Sequence, residues 1–384
     1  MSESAVLRRT SSTFGLYLAF GCLGYLLTAL GAILPELRAE RGLPRAEVAL
    51  YPSAFALGLV VVGLVGHRLA ERLGRLALPA ALAALAGGAG IIAAGGGRVG
   101  TGIGALVLGL GGAGLVQLVP AGLRALHGGD GAVPIGEANA VASTASVLSP
   151  LLIGAALAAG LGWRFAFAVP PLALAAILLL TRRAVVPVTR ADVPPDAGSR
   201  APRAFVSRWS DLVLAVGVEF CMVFWAADFL RSVKGLGSGT ATTLSAAFVL
   251  GMAVGRVAAG PIVRAAGGAD RLVVAAAAVG VAGFAVLWAA PASVAVAGLL
   301  VTGLGVALLY PVILARALAA WPAQPVRAAA RCALASGVAI GIAPLALGTL
   351  ADLTTLRAAV FVAPALLLIL LVRCGWRLRA HPAA

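Results

Sequence analysis

Apolar residues fall into twelve long stretches with few charged side chains, separated by polar connections. About 20 consecutive apolar residues form a helix long enough to cross the hydrocarbon core of a bilayer. The pattern therefore predicts an all-α membrane protein with twelve transmembrane helices. The stretches are 13–35, 47–67, 76–96, 101–123, 137–160, 164–181, 209–230, 240–263, 271–290, 293–316, 328–350 and 358–376.

The composition changes this picture little. Hydrophobic residues make up 61% of the 384 residues and charged residues 11%, whereas soluble domains carry about 25% charged residues. The net charge of +15 raises the possibility of a nucleic-acid partner, but aromatic residues are only 6% and no polar region carries a basic face. We therefore expect no nucleic-acid binding and interpret the basic residues as flanks of membrane spans.

The basic residues are unevenly divided between the two sets of connections. If the N-terminus lies inside, 20 arginines are on the cytoplasmic side, 8 basic residues are on the outer side, and Arg256 lies within a span. Lys and Arg are enriched in cytoplasmic connections. This bias predicts a multi-pass protein of the cytoplasmic membrane with both termini in the cytoplasm.

The chain divides near its middle. Residues 182–208 form the longest polar segment, rich in Pro and Arg, and predict a cytoplasmic linker between halves at 1–181 and 209–384. Short sequences recur in order between the halves at an offset of 193 or 194. AFALG at 54–58 returns as AFVLG at 247–251, and SPLLIG at 149–154 as APLALG at 343–348. The recurrence predicts duplication of a six-helix unit.

A compact charged motif, HRLAERLGR at 67–75, separates the second and third stretches. It resembles the signature Gly-x-Leu-Ala-Asp-Arg-x-Gly-Arg of the major facilitator superfamily of secondary transporters. Glu71 replaces the Asp, and His67 stands where the first Gly is expected. The second half carries the related GPIVRAAGG, with Gly260 and Gly267. The matching residues of the first motif are Leu69, Ala70, Arg72, Gly74 and Arg75.

The resemblance implies two pseudo-symmetric six-helix bundles that alternate access to a central cavity, with the motif gating the cytoplasmic side. The alternative is that its arginines only anchor the topology. The fifth stretch resembles the family's antiporter signature at Gly136, Pro150 and Gly154, which favours an exporter. Because proline and small residues let helices bend and pack closely, we expect hinges at Pro150 and Gly154 and at their counterparts Pro344 and Gly348.

Polar residues within the apolar stretches are functional candidates, because ionisable groups are costly in a membrane. We expect Glu219, near the middle of the seventh stretch, to carry a coupled proton, and Arg256, at a similar depth in the eighth, to control its release. Asp228 is the next candidate. The alternatives are a permanent Glu219–Arg256 ion pair that joins two helices, and an interfacial Asp228 beside Arg231.

The resemblance further implies that helices 1, 4, 7 and 10 line the central cavity, flanked by helices 2, 5, 8 and 11. Several of the polar residues there have a second interpretation as ordinary helix packing. The predicted substrate-cavity residues are Tyr25, Thr28, Gln117, Ser143, Ser146, Met222, Trp225 and Tyr310.

The predicted cavity has few polar groups, which favours a small amphiphilic or hydrophobic substrate exported at the expense of a proton gradient. One alternative is proton-coupled uptake or exchange of an organic anion or metabolite bound by Arg256, and a second is a membrane sensor that transports nothing. The sequence shows no metal-ligand cluster, nucleophile elbow or ATP-binding domain. We therefore expect neither an enzyme nor a metal or other cofactor, and a chain that works as a monomer in the lipid bilayer.

Overall fold

The computed structural model describes residues 9–127, 132–181 and 200–380, and this part of the chain is helical without strands. The first half contains six helical regions: α1 (Ser11–Arg41), α2 (Arg45–Leu73), α3 (Ala77–Ala93), α4 (Gly97–Leu126), α5 (Ala132–Ala158) and α6 (Trp163–Phe167 and Val169–Thr181). The second half repeats the number: α7 (Arg203–Ser232), α8 (Ser238–Val257 and Ala259–Ala265), α9 (Ala269–Ala289), α10 (Ala292–Val306 and Leu309–Ala319), α11 (Pro325–Leu353) and α12 (Leu356–Ala359 and Val362–Ala380).

Each predicted apolar stretch corresponds to one of these helices. Within the described ranges, eleven are long and apolar enough to cross a membrane, and α6 supplies a shorter apolar helix at Trp163–Leu178. The prediction of an all-α membrane protein with twelve helices is confirmed.

The predicted linker is longer than the connection that the structure shows. Residues 182–199 lie outside the described residues, but Arg203 already begins α7, so residues 203–208 are helical rather than linker. Pro202 stands at the N-cap, where its missing N–H costs the helix nothing. Arg208 then pairs with Asp270 of α9 at 2.9 Å. An arginine-rich sequence can therefore remain helical because the second half supplies its counter-charge.

Equivalent glycines fix the same helix crossing in both halves. A Cβ placed on Gly109 of α4 would lie 2.1 Å from the carbonyl oxygen of Phe55 in α2. A Cβ on Gly303 of α10 would lie 2.1 Å from the carbonyl oxygen of Phe248 in α8. No side chain fits at such a distance, so the glycine-rich sequence at 109–114 serves helix packing. The internal sequence repeat is thus a repeat of backbone contacts.

The halves meet along two seams, α5 against α8 and α2 against α11. Gly154 of α5 faces Thr243, whose Oγ1 would lie 2.1 Å from an added Cβ. A Cβ added to Gly348 of α11 would lie 2.9 Å from the carbonyl oxygen of Arg45. Pro150 and Pro344 lie within the same two helices. The four predicted hinge residues therefore lie on the seam helices, and both glycines lie at close contacts between the halves.

The bundle has two ends, which we name by residues of α2. The connection between α1 and α2 lies at the Arg45 end, and the turn between α2 and α3 lies at the Glu71 end. In the predicted orientation the Arg45 end faces outward and the Glu71 end faces the cytoplasm.

Candidate functional site

A central cavity of about 310 Å³ lies between the two halves. Its walls come from α2, α4, α7, α8, α10 and α11, and both Glu219 and Arg256 contribute to them. The remaining wall is mostly apolar, with Phe220, Val216 and Ile340 among its residues. The cavity therefore combines one ion pair with a hydrophobic lining.

A smaller inner pocket of about 110 Å³ adjoins the same ion pair. Its uncharged polar residues come from the first half: Thr28 of α1 and Ser143 and Ser146 of α5. Ser146 Oγ donates to the carbonyl oxygen of Gly24 at 3.0 Å, and Thr28 Oγ1 donates to that of Ser146 at 3.0 Å. These hydroxyls join α1 to α5 while lining the pocket that Glu219 faces from the second half.

Glu219 and Arg256 form the charged centre of the site. Arg256 Nη2 lies 3.4 Å from Glu219 Oε1, with 40% of the Arg256 side chain and 17% of the Glu219 side chain exposed. Nη2 is the donor in this contact, which is long for a charge-assisted hydrogen bond. A carboxylate and a cation at this depth compensate each other's desolvation. The arrangement can exchange a proton or accept an anion in place of the carboxylate.

Two other predicted residues lie on the wall of the central cavity. Gln117 donates to the carbonyl oxygen of Val62 at 3.3 Å, which ties α4 to α2 while its amide borders the cavity. Tyr310 of α10 lines the cavity beside Ser336 of α11. The structure therefore brings together Glu219, Arg256, Thr28, Gln117, Ser143, Ser146 and Tyr310.

Three predicted cavity residues lie outside the linings of these cavities. Tyr25 donates its hydroxyl to the carbonyl oxygen of Ala166 in α6 at 2.8 Å. Trp225 donates to that of Pro344 in α11 at 3.0 Å, and Met222 is 2% exposed. All three face neighbouring helices because the rotation of α1 and α7 turns them away from the cavity.

Phe220 was not among the predicted residues, although it borders both the central cavity and the inner pocket. It lies four residues after Val216 and three before Val223, which also line these cavities, so the three share one face of α7. The sequence contains this spacing but does not indicate which face of α7 meets the cavity.

Asp228 lies in a charged cluster at the Arg45 end, remote from the Glu219–Arg256 pair. Its carboxylate is 2% exposed and accepts from Arg45 Nε at 2.8 Å, Arg38 Nη2 at 3.4 Å and Ser232 Oγ at 2.6 Å. Both arginines belong to the first half and Asp228 to the second. The contacts favour the interfacial interpretation of Asp228, with Arg38 and Arg45 as partners in place of Arg231.

Two further carboxylates tie the halves at this end. Glu36 of α1 accepts from Arg231 of α7 at 2.6 Å. Asp352 of α11 accepts from the backbone N–H groups of Arg45 and Ala46 at 3.0 and 2.7 Å. Asp352 thereby caps the N-terminus of α2, where free N–H groups and the helix dipole favour an anion. The Arg45 end is therefore closed by ionic contacts between the halves.

The predicted gate residues at the Glu71 end make no such contacts. Glu71, Arg72 and Arg75 are exposed, and in the described part of the chain they have no hydrogen bond or ion pair. Gly74 and Gly267 take positive φ values of 50° and 60° in the turns that follow α2 and α8. The remaining gate residues, Leu69 and Gly260, are exposed as well. The halves are thus joined at the Arg45 end, while the Glu71 gate residues are unengaged.

The sequence profile of the Major Facilitator Superfamily matches residues 16–324, which is most of the chain. This chain belongs to the major facilitator superfamily. It is a multi-pass membrane protein with the fold of a secondary transporter. No curated protein matches its sequence.

Solved transporter structures share the fold at low sequence identity. A bacterial homologue of the human lysosomal transporter Spinster, in an inward-facing and occupied conformation, is 14% identical with a TM-score of 0.78, covering 96% of each chain. The nucleoside transporter NupG is 11% identical with a TM-score of 0.75, covering 97% of this chain and 99% of that one. A D-xylose–proton symporter is 14% identical with a TM-score of 0.73, covering 95% and 96%.

Proposed function

We propose that this protein is a proton-coupled exporter of a small amphiphilic or hydrophobic compound that works by alternating access. The observation that carries the proposal is the Glu219–Arg256 pair, 3.4 Å apart on the wall shared by the central cavity and the inner pocket. A titratable carboxylate between the halves is reached from one side of the membrane and then from the other as the halves rock. One chain holds the whole site, which supports a functional monomer.

The coupling follows from the competition of a proton and Arg256 for the same carboxylate. When Arg256 lies against Glu219, the cation stabilises the charged carboxylate and the proton leaves. When the halves rock, the cavity that both side chains border opens to the other side of the membrane. A rotation of the Arg256 side chain away from Glu219 then lets the carboxylate take up a proton from that side. The proton moves inward and the substrate outward if the cavity holds the substrate only while the ion pair is formed.

The lining of the cavity indicates the class of substrate. Apolar residues such as Phe220, Val216 and Ile340 form most of the wall, and the polar groups are few. A sugar needs many donors and acceptors, whereas an amphiphile needs one polar anchor and an apolar surface. The bendable α5, with Pro150 and Gly154, supports export.

The test is Glu219→Gln in proteoliposomes. The carboxamide keeps the size of the side chain but cannot carry the proton, so we expect gradient-driven accumulation to be lost and substrate exchange to be retained. The matched control is Glu47→Gln, since Glu47 pairs at the surface with an exposed Arg98 at 3.3 Å. Accumulation that persists in Glu219→Gln would place the proton on another residue, and misfolding of this variant would favour the structural ion pair.

A second candidate is an organic anion held by Arg256. The favouring observation is that Arg256 borders the central cavity, the inner pocket and a third cavity between α5 and α8. It uses one nitrogen for Glu219. In that case substrate and proton bind together, because the anion takes Arg256 from the carboxylate. A wild-type protein that moves no compound under any gradient would instead favour a sensor on the same scaffold.

A further inference from the structure

The two seams between the halves are related by the internal repeat but differ in packing. Along α2 and α11, a Cβ on Gly337 would lie 2.6 Å from Val60 Cγ2, and Ser53 Oγ donates to the carbonyl oxygen of Gly341 at 2.6 Å. Nearer the Glu71 end, a Cβ on Gly63 would lie 3.8 Å from Leu334 Cδ2. The two helices therefore lie close at each of these levels, and we call this the closed seam, although Gly63 also borders the central cavity.

The equivalent stretch of the α5–α8 seam holds a crevice of about 510 Å³. By the offset of 193, Ala253 and Arg256 of α8 are equivalent to Val60 and Gly63 of α2. By the offset of 194, Ser143 and Ala140 of α5 are equivalent to Gly337 and Leu334 of α11. All four residues of the α5–α8 seam line the crevice instead of closing it.

The difference has a local cause in side-chain size and charge. Gly63 leaves α2 a flat surface on which Leu334 can rest, whereas Arg256 at the equivalent place projects a guanidinium that an apolar seam cannot bury alone. Ser143 likewise replaces Gly337. The α5–α8 seam is therefore open beside Arg256 in this state.

The crevice joins the interior of the protein to its lipid-facing surface. Ser143 and Arg256 line both the crevice and the inner pocket, so the two spaces meet at these residues. The outer walls are apolar and exposed, with exposures of 45% for Leu148, 42% for Leu250 and 87% for Val257. A polar strip of Asn139, Ser143 and Thr144 on α5 leads inward between them.

We propose that the crevice between α5 and α8 admits an anionic single-chain amphiphile from the membrane leaflet at the Glu71 end, with its headgroup on Arg256 and its tail between Leu250 and Leu148. The second candidate function, an anion held by Arg256, is the basis of this inference. Among the residues that the structure describes, Arg256 is the one charged residue that lines the crevice. A cation at the inner end, a polar strip beside it and apolar outer walls match a headgroup and a tail in that order.

The repeat supplies matched controls for a test. Leu57 of α2 is equivalent to Leu250 and is 53% exposed, and Leu64 is equivalent to Val257 and is 57% exposed. A tryptophan at Leu250 or Val257 fills the crevice, while the same change at Leu57 or Leu64 alters only the exterior of the closed seam. Thermal unfolding of all four variants checks that each is folded.

The first measurement is photo-crosslinking in phosphatidylcholine nanodiscs with dodecyl phosphate that carries a diazirine in its tail. We expect labelling of peptides 139–148 and 250–257, reduced about tenfold by Leu250→Trp or Val257→Trp, which corresponds to about 1.4 kcal/mol of binding. Leu57→Trp and Leu64→Trp should label as wild type does. Equal labelling by the uncharged dodecanol analogue would reduce the crevice to a lipid-filled groove and overturn the proposal.

The second measurement follows dodecyl phosphate across proteoliposome membranes by its cleavage with external phosphatase. We expect Leu250→Trp to slow the transport of dodecyl phosphate strongly. The transport of butyl phosphate, which enters from water, should slow far less. A probe that is crosslinked but never moved would mark a resident lipid and contradict the substrate assignment. Crosslinking needs no gradient, so a failure of proton coupling in Glu219→Gln experiments remains distinguishable from a failure of the crevice.

Discussion

The two ends of the molecule carry similar charges but use them differently. At the Arg45 end, Asp228, Glu36 and Asp352 all bind groups of the opposite half. At the Glu71 end, Glu71 and the arginines beside it are exposed and, in the described ranges, unpaired. An alternating-access protein has to break contacts at one end as it makes them at the other. In the proposed cycle, we therefore expect the contacts at the Arg45 end to stabilise this state and the charges at the Glu71 end to pair in the opposite one.

The seam between α2 and α11 shows which carboxylates distinguish the two ends. These helices run antiparallel across their seam, since Asp352 near the end of α11 meets Arg45 at the start of α2, and the earlier residue Leu334 lies beside Gly63 farther along α2. Asp352, at the end of α11, caps α2 in this state. In the proposed cycle we expect Glu71, near the end of α2, to accept from the free N–H groups that follow Pro325 in the first turn of α11 when the Glu71 end closes. One carboxylate at each end would then stabilise each state.

The largest effect is expected from Asp228→Asn. Removing the charge leaves Arg38 and Arg45 without their shared partner and should disfavour this state by about 2 kcal/mol. The figure is below that for a fully buried pair because the two arginines are 28% and 17% exposed. Distances between spin labels at Leu76 and Val263 in a cysteine-free background measure the populations. Labels that keep their wild-type distance distribution would show that Asp228 does not hold the Arg45 end closed.

A smaller shift in the same direction is expected from Asp352→Ala. The change removes the acceptor for two backbone N–H groups, a loss of about 1 kcal/mol by analogy with other helix caps. Asp352→Asn keeps an acceptor and should lie between the alanine variant and the wild type. The same spin-label pair provides the measurement, and equal behaviour of the two variants would contradict a capping role.

The smallest shift is expected from Glu71→Gln. Because Glu71 makes no described contact here, this state should change by less than about 0.5 kcal/mol, as is usual for an exposed position. The transport cycle should slow nevertheless, since the cap of the opposite state keeps an acceptor oxygen but loses its charge. Arg72→Ala is the companion variant. Wild-type turnover in both would leave the motif as a topological anchor.

Much of the fold could be predicted from the sequence because the signals are long or repeated. Twelve apolar stretches locate the helices. The spacing of 194 between Gly109 and Gly303, and again between Gly154 and Gly348, relates the halves. The equal depth of Glu219 and Arg256 could be counted along the helices. Each of these inferences depends on position along a helix axis, which the sequence records directly.

What could not be predicted depends on rotation about that axis. The helix α7 is buried on nearly every face, so its apolar pattern does not indicate which side meets the cavity. This is why Met222 and Trp225 were assigned to the cavity and Phe220 was not. The partners of Asp228 were missed for the same reason, since pairing with Arg38 across 190 residues requires the helix orientations.

The glycine-to-carbonyl contacts within each half have a thermodynamic consequence. Because Gly109 on Phe55 and Gly303 on Phe248 leave no space for sliding, α2 moves with α4 and α8 with α10 as rigid bodies. The change of state then exchanges surface at the seams while the interior of each half stays packed. The heat capacity of a protein follows the apolar area that is exposed to water. The two states should therefore have similar heat capacities, and the ratio of their populations should vary smoothly with temperature.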